Sequence, residues 1–444
     1  MTLYAEAMFR RAVFAWRRRT SALGRRWLLL GSMVLGAGVL PSAVEARPAE
    51  DERAADRPDI LFLFADDLAI DAVRAFQGRD VETPNLDRLA RQGTAFTHVF
   101  NQGSWTGAVC VASRTMLNTG RSLWRARTLD PEAEREAGRF WPEILRRAGY
   151  RTYFCGKWHV RADAEKAFDR VRNVRPGMPK DVPEGYSRPV DGKPDSWSPS
   201  DPSFGGYWEG GKHWSEVTAD DAIAFLDEAK DDDAPSFLYV AFNAPHDPRQ
   251  APEEWLEKYP AESLTIPENW LPEYPHKDEI GCGKDLRDER LAPFPRTETA
   301  IRVHRREYYA IVSHLDAEIG RVLDALERTG RAERTWVIFT ADHGLALGRH
   351  GLFGKQNLYD HSVRVPLIIA GPDVPRGRSI ETPCYVQDVF PTTLEIAGIE
   401  VPGFVEFDSL LPLLRDEAEE PGKSARAIYG AYLDLQRSIR TERH

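Results

Sequence analysis

The chain is short of positive charge. Its 444 residues carry 59 Lys and Arg against 69 Asp and Glu, a net charge of −10. This balance leaves no basic footprint for nucleic acid, so no nucleic-acid partner is expected. An acidic surface also repels anionic substrates at long range, and an anion site must therefore bring its own local cations. Long apolar runs are missing as well. The run from Trp27 to Leu40 is too short for a comfortable membrane span. Cysteine is scarce, at four residues (Cys110, Cys155, Cys282 and Cys384), and the sequence does not say which could pair. No internal repeat is evident.

What is present begins with a targeting segment. Seven arginines lie between Arg10 and Arg26, ahead of the apolar run, and Val44-Glu45-Ala46 places small residues where a cleavage site needs them. Residues 1–46 are expected to be a signal peptide cleaved after Ala46, which sends the protein to the periplasm or outside the cell and leaves no stable membrane span. Arg25-Arg26-Trp27-Leu28-Leu29 resembles a twin-arginine export signal.

The remaining length and a 42% hydrophobic content suit a globular protein with a sizeable core. Near-continuous apolar runs at Asp59 to Phe64, Ser236 to Phe242, Thr335 to Thr340 and Val365 to Ala370 predict strands buried on both faces of a mainly parallel sheet. Helical patterns alternate with them: one from Thr83-Pro84, one over Phe140 to Ala148, one over Ser215 to Lys230 with a Ser cap, and one over Tyr308 to Leu326. This alternation predicts an α/β/α sandwich. Residues 161–214, with seven prolines, and residues 247–296 break the pattern and read as long covering or lid-forming loops.

Chemistry-bearing residues follow the strands. Asp66 and Asp67 end the first strand, and Asp342-His343-Gly344 follows the strand from Thr335. Paired carboxylates suit a hard divalent cation, and in a parallel sheet distant strand ends converge on one crevice. Cys110 to Asn118 reads as a helix start, where backbone N–H groups and the helix dipole favour an anion. Arg114 lies one turn on, on the same face. Lys157 and His159, two apart on an extended segment, point to one side. His246, in Pro245-His246-Asp247-Pro248, and Lys355, in Gly354-Lys355-Gln356-Asn357, complete the set.

Together these motifs resemble those of the type I, formylglycine-dependent sulfatases of the alkaline phosphatase superfamily, in the branch of iduronate- and choline-sulfatase-like enzymes. The resemblance runs from about Arg57 to Arg440. It rests on the order Asp66-Asp67, then Thr83-Pro84-Asn85-Leu86-Asp87-Arg88-Leu89-Ala90, Cys110-Val111-Ala112-Ser113-Arg114 with Thr119-Gly120-Arg121, and Gly156-Lys157-Trp158-His159. Ala244-Pro245-His246, Phe339-Thr340-Ala341-Asp342-His343-Gly344, Gly354-Lys355 and Val363-Arg364-Val365-Pro366-Leu367-Ile368 follow. It implies an alkaline-phosphatase-like α/β/α sandwich around a large mixed, mostly parallel sheet, with a catalytic domain over 57–428. Residues 429–444 would begin a C-terminal antiparallel subdomain that is incomplete. Ala112 stands where many family members have Pro.

The implied activity is sulfate ester hydrolysis. Cys110 would be oxidised to formylglycine by a formylglycine-generating enzyme, and its hydrate would attack sulfur to give a covalent sulfo-enzyme intermediate. Asp66, Asp67, Asp342 and His343, with an oxygen of modified Cys110, would hold Ca2+ in preference to Mg2+. Arg114 and Lys157 would orient the formylglycine, and Lys157, His246 and Lys355 would bind the sulfate oxygens. His246 with Lys355 would protonate the leaving alcohol, and His159 would deprotonate the second hydroxyl to expel sulfate. With Cys110 converted, three cysteines remain, enough for one bridge at most.

A sulfated small molecule or glycan is the expected substrate. Tyr186, Trp197, Phe204, Tyr207, Trp208 and Trp214 could either stack on sugar rings or anchor their loop, and Lys212 and His213 are expected to contact an anionic sugar. Two alternatives stand beside this reading: a phosphodiesterase or phosphonate monoester hydrolase of the same superfamily, and a non-catalytic anion-binding protein in which Cys110 is not matured.

Overall fold

In the computed structural model, residues 57–417, 426–441 and 443–444 are described. The expected signal peptide, residues 1–46, lies outside them. The main sheet has nine strands, in the order Arg378–Ile380, Thr94–Phe100, Arg364–Ala370, Thr335–Ala341, Asp59–Ala65, Ser236–Ala241, Arg151–Lys157 and Arg170–Arg175, with Cys384–Tyr385 also paired to Thr94–Phe100. From Thr335–Ala341 to Arg170–Arg175 neighbouring strands run parallel. Arg364–Ala370 runs antiparallel to both its neighbours. Helices flank the sheet, which gives the mixed, mostly parallel α/β/α architecture that the resemblance implies.

The strands form where uninterrupted apolar residues can be covered on both faces. Every residue of Asp59–Ala65 and of Ser236–Ala241 is buried. Phe62 packs edge-on against Trp141, 5.0 Å between ring centroids, and against Tyr239 at 4.8 Å. Such pairs stabilise the core beyond what their buried area alone contributes. The expected strands recur within a residue at either end.

Three local expectations need correction. The long helix spans Glu298–Arg328 rather than starting at Tyr308. Thr297 caps it by accepting a hydrogen bond from Ala300 N–H, and its charged first turns bury Ala300, Ile301 and Arg305, which hides the apolar stripe. Helix Trp214–Ala229 is capped by His213, whose Nδ1 accepts from Ser215 N–H at 3.1 Å, and not by Ser215. Arg170–Arg175, inside a stretch read as loop, is a strand. Among the described residues it pairs on one side only, and it reads Arg-Val-Arg-Asn-Val-Arg, so it lacks the apolar run that marked the central strands.

A second, three-stranded sheet supports the approach to Cys110. Ile428–Tyr432 runs antiparallel to Gln436–Arg440 and parallel to Gly103–Ser104. Gly103 has φ +84°, and a Cβ there would collide with Ala431 O, so the two strands can approach only with glycine at this position. All four cysteines are free and buried. No helix among the described residues is long and apolar enough to cross a membrane.

Candidate functional site

The carboxyl ends of the parallel strands carry the cluster. Asp66 N–H donates to Ala244 O, and Asp342 N–H donates to Ala65 O, so three strand exits are tied together. Asp67 follows in the left-handed region, at φ 64°. A non-glycine residue there costs about 1–3 kcal/mol and persists only when its surroundings fix it. Here Asp67 N–H donates to Asp342 Oδ1 at 3.2 Å, and Tyr308 OH donates to Asp67 O at 2.7 Å while accepting from Ala69 N–H.

Cys110 is the second residue of helix Val109–Thr119 and is 2% exposed. Its Sγ lies 3.3 Å from Asp66 Oδ1, 3.3 Å from His343 Nε2 and 3.6 Å from Lys355 Nζ. Burial works to raise its thiol pKa, but Lys157, Lys355 and His343 together outweigh burial and hold it well below the ordinary value, helped by a hydrogen bond with His159. Reactive cysteines sit in electropositive surroundings of this kind.

Arg114 is fully buried one turn along the helix. Its Nε donates to Asp342 Oδ2 at 3.0 Å and its Nη1 to Lys157 O at 2.7 Å, and Nη2 lies 3.7 Å from Asp66 Oδ1. The guanidinium covers the Phe64 ring at 4.7 Å. Lys157 Nζ pairs with Asp66 Oδ2, and Lys355 Nζ donates to both oxygens of Asp67, at 2.7 and 2.5 Å. His246 Nε2 stands 3.8 Å from Asp67 Oδ2, and His343 Nδ1 3.1 Å from Asp67 Oδ1. Ser113 Oγ and Asn101 Nδ2 both donate to the Asp342 carbonyl and fix that strand exit.

The donor chemistry fits a divalent cation. One donor atom from each of Asp66, Asp67, Cys110, Asp342 and His343 lies within 4.8 Å of all the others, and all five residues are buried. Burial, then Asp342 and Cys110, push the Asp66 carboxyl well above its usual range, a crowding that a cation relieves. Asp342 stays below its usual range because His343 and Arg114, with Lys157, overcome burial. Carboxylate oxygens in such number suit a hard cation.

The structure brings together Asp66, Asp67, Cys110, Arg114, Lys157, His159, His246, Asp342, His343 and Lys355. His159 reaches the cluster by a different route from the one expected. It follows the strand end with φ 55°, off the extended path, and its ring lies where a Cβ on Gly177 would be. Lys212 and His213 are not brought there. Lys212 is exposed and pairs with Asp220 at 2.8 Å. His213 is fully buried, accepts from Ser215 N–H, donates through Nε2 to Gln250 O at 3.0 Å and stacks on Tyr207 at 4.7 Å. Both side chains are spent on the helix Trp214–Ala229 and its surroundings.

Tyr207, Trp197 and Trp214 are buried and anchor their loop, as one of the two readings of these aromatics expects. Tyr186 OH donates to Asp247 Oδ2 at 2.9 Å. The sequence pointed to none of Asn101, Ser113, Asp288, Glu289 or Tyr308 as neighbours of the cluster. Asp288 and Glu289 open a short 3-10 helix, Asp288–Leu291, inside a stretch that reads as loop, where adjacent acids usually mark only a solvated turn. Glu289 instead is buried, pairs with Arg296 and accepts from Phe353 and Gly354 N–H, which holds the turn before Lys355.

A cleft of about 860 Å³ opens elsewhere, lined by Asp71, Phe76, Arg305, Tyr309, Arg349 and Arg364 among others. None of the clustered residues lines it. Within it Arg349 pairs with Asp71 and Arg305 with Asp80. The side chains able to do chemistry therefore gather in the buried cluster and not in the roomier cleft.

Comparison with known proteins bears on this geometry. The family model described as Sulfatase matches residues 58–399. A choline-sulfatase of Rhizobium meliloti is 31% identical over 401 residues, covering 85% of this chain and 76% of the relative. An N-acetylglucosamine-6-O-sulfatase of Bacteroides thetaiotaomicron is 25% identical over 478 residues, covering 93% and 80%. Among solved structures, a phosphonate monoester hydrolase from Silicibacter pomeroyi superposes with a TM-score of 0.68 at 23% identity, over 84% of this chain and 79% of the other.

Proposed function

Because this chain belongs to the sulfatase family and is a sulfuric ester hydrolase, we propose that it acts on sulfated carbohydrates through a formylglycine made from Cys110. The observation that carries the proposal is the placing of Cys110. It lies in the first turn of a helix, within 3.6 Å of Asp66, His343 and Lys355 and beside three buried carboxylates. The name of the N-acetylglucosamine-6-O-sulfatase relative supports a sugar substrate.

In this reading Asp66, Asp67, Asp342 and His343, with an oxygen of matured Cys110, hold Ca2+. The ion would polarise the sulfuryl oxygens and favour the ionised nucleophile. Formylglycine supplies, as its hydrate, one hydroxyl to attack sulfur and a second whose deprotonation releases sulfate. Arg114, held by Asp342 and the Lys157 carbonyl, fixes the orientation of residue 110. Lys157, Lys355 and His246 neutralise charge on the sulfate oxygens, the service that fixed cations render best in a buried site. His246 with Lys355 protonates the leaving alcohol, and His159 takes the proton from the second hydroxyl. Residues 57–428 form the catalytic domain. Export through segment 1–46 and maturation by a formylglycine-generating enzyme complete the reading.

A panel of sulfated monosaccharides and oligosaccharides, choline sulfate, an aryl sulfate, a phosphate diester and a phosphonate monoester tests it. A sulfated sugar is expected to give the highest kcat/KM. A higher value on the phosphate diester or the phosphonate would overturn the assignment, and a higher value on choline sulfate would move the substrate class.

A further inference from the structure

We propose that Asp247 is a positioning residue for the leaving-group side of the site, linking His246 to Lys355 through Arg287 and Asp288. The inference rests on the proposed role of His246 and Lys355 as the groups that protonate the leaving alcohol.

Asp247 is 1% exposed, and its carboxylate is held from three directions. Tyr186 OH donates to Oδ2 at 2.9 Å, Arg287 Nη2 reaches Oδ1 at 3.4 Å, and His246 Nδ1 lies 3.4 Å from the same Oδ1. The His246 Nδ1–H also donates to the backbone carbonyl of Asp247 at 2.7 Å. One residue thus fixes the tautomer and the plane of the ring and leaves Nε2 turned toward Asp67. Burial alone would neutralise the carboxyl, but Arg287, His246 and Lys355 keep it far below its usual range and ionised.

The network continues away from the histidine. Arg287 grips Asp288 Oδ1 with Nε at 2.8 Å and Nη2 at 2.6 Å. The other Asp288 oxygen accepts from Gln356 Nε2 at 2.8 Å and stands 4.0 Å from Lys355 Nζ. Gln356 Oε1 in turn accepts from Lys355 N–H at 3.0 Å, and its Nε2 reaches Gly107 O at 3.4 Å, three residues ahead of Cys110. Two acids, Asp247 and Asp288, share one guanidinium, and they lead to His246 and Lys355 respectively, both of which face Asp67. A buried network of this kind locks geometry when every member is satisfied. Residues that orient the ligands of a metal site matter about 10- to 100-fold in activity, and an effect of the same order is expected for the residue that orients His246.

Leaving-group dependence tests the proposal, because a merely structural role would not move it. Para-nitrophenyl sulfate releases a phenolate that needs little protonation, whereas phenyl sulfate needs more. Asp247→Asn keeps the shape and the Tyr186 contact but gives up the charge toward Arg287 and His246. It is expected to lose about 10- to 100-fold in kcat/KM on phenyl sulfate and less than about threefold on para-nitrophenyl sulfate. Tyr186→Phe, which removes only one hydroxyl, is expected to show a smaller loss with the same bias, and serves if Asp247→Asn does not fold. Equal losses on both esters, or none on either, would overturn the inference while leaving the sulfatase reading intact. A loss in Asp247→Asn that excess Ca2+ restores would make Asp247 an ion ligand beside Asp67 and His246 and would overturn it too. A wild-type protein with no turnover of any sulfate ester would instead sink the parent reading.

Discussion

Cys110→Ala is expected to lose sulfate ester turnover by about 10^4- to 10^6-fold, the range seen when an enzyme loses its nucleophile but keeps its binding groups. The fold should survive. Cys110 contributes one small buried side chain to helix Val109–Thr119, and its neighbours Asp66, Asp67, Lys157 and Lys355 remain paired with one another. Cys110→Ser sharpens the result. A hydroxyl keeps the size and the polar contacts with Asp66 and His343, yet it has no second oxygen with which to expel sulfate. This variant is expected to release at most one equivalent of alcohol per protein and then stop. Rapid-mix kinetics and the melting temperature read both variants. Steady multiple turnover by Cys110→Ser near the wild-type rate would contradict the proposed chemistry.

Removal of the divalent ion is the second large effect. Chelation is expected to reduce turnover at least about 100-fold, since the ion's share of charge stabilisation in such sites is worth several kcal/mol. Ca2+ should restore it more fully than Mg2+, because the larger ion accepts crowded and irregular oxygen donors. A physical readout accompanies the kinetic one. Asp66, Asp67 and Asp342 place three buried carboxyl groups within a few ångströms, so an ion that binds only the folded state stabilises it by about 2.7 kcal/mol at a hundredfold excess over Kd. The melting temperature should therefore rise with added Ca2+ by a few degrees. Unchanged turnover and melting after exhaustive chelation would remove the ion from the account.

Much of this arrangement was legible in the sequence. The central strands are buried on both faces and so leave uninterrupted apolar runs, and the parallel order places their carboxyl ends together. That is why Asp66, Asp67, His246 and Asp342 could be expected to meet. What remained hidden depends on packing that carries no period. Arg170–Arg175 is, among the described residues, an edge strand that carries three arginines and no apolar run. Lys212 resembled a free cation but is engaged by Asp220, and His213 resembled a ligand group but caps a helix. The left-handed turn at Asp67 follows from its hold by Asp342 and Tyr308, the latter 241 residues away. Arg287 and Asp288 sit at the start of a short 3-10 helix in a stretch whose sequence carries no period, and only the fold brings them behind His246 and Lys355.

The mass of the peptide containing Cys110, taken from protein co-expressed with a formylglycine-generating enzyme, tests the central claim most directly. The account predicts a peptide lighter by the difference between a thiol-bearing methylene and an aldehyde, in proportion to the specific activity of the preparation. A fully active preparation in which Cys110 is an unmodified thiol would contradict it.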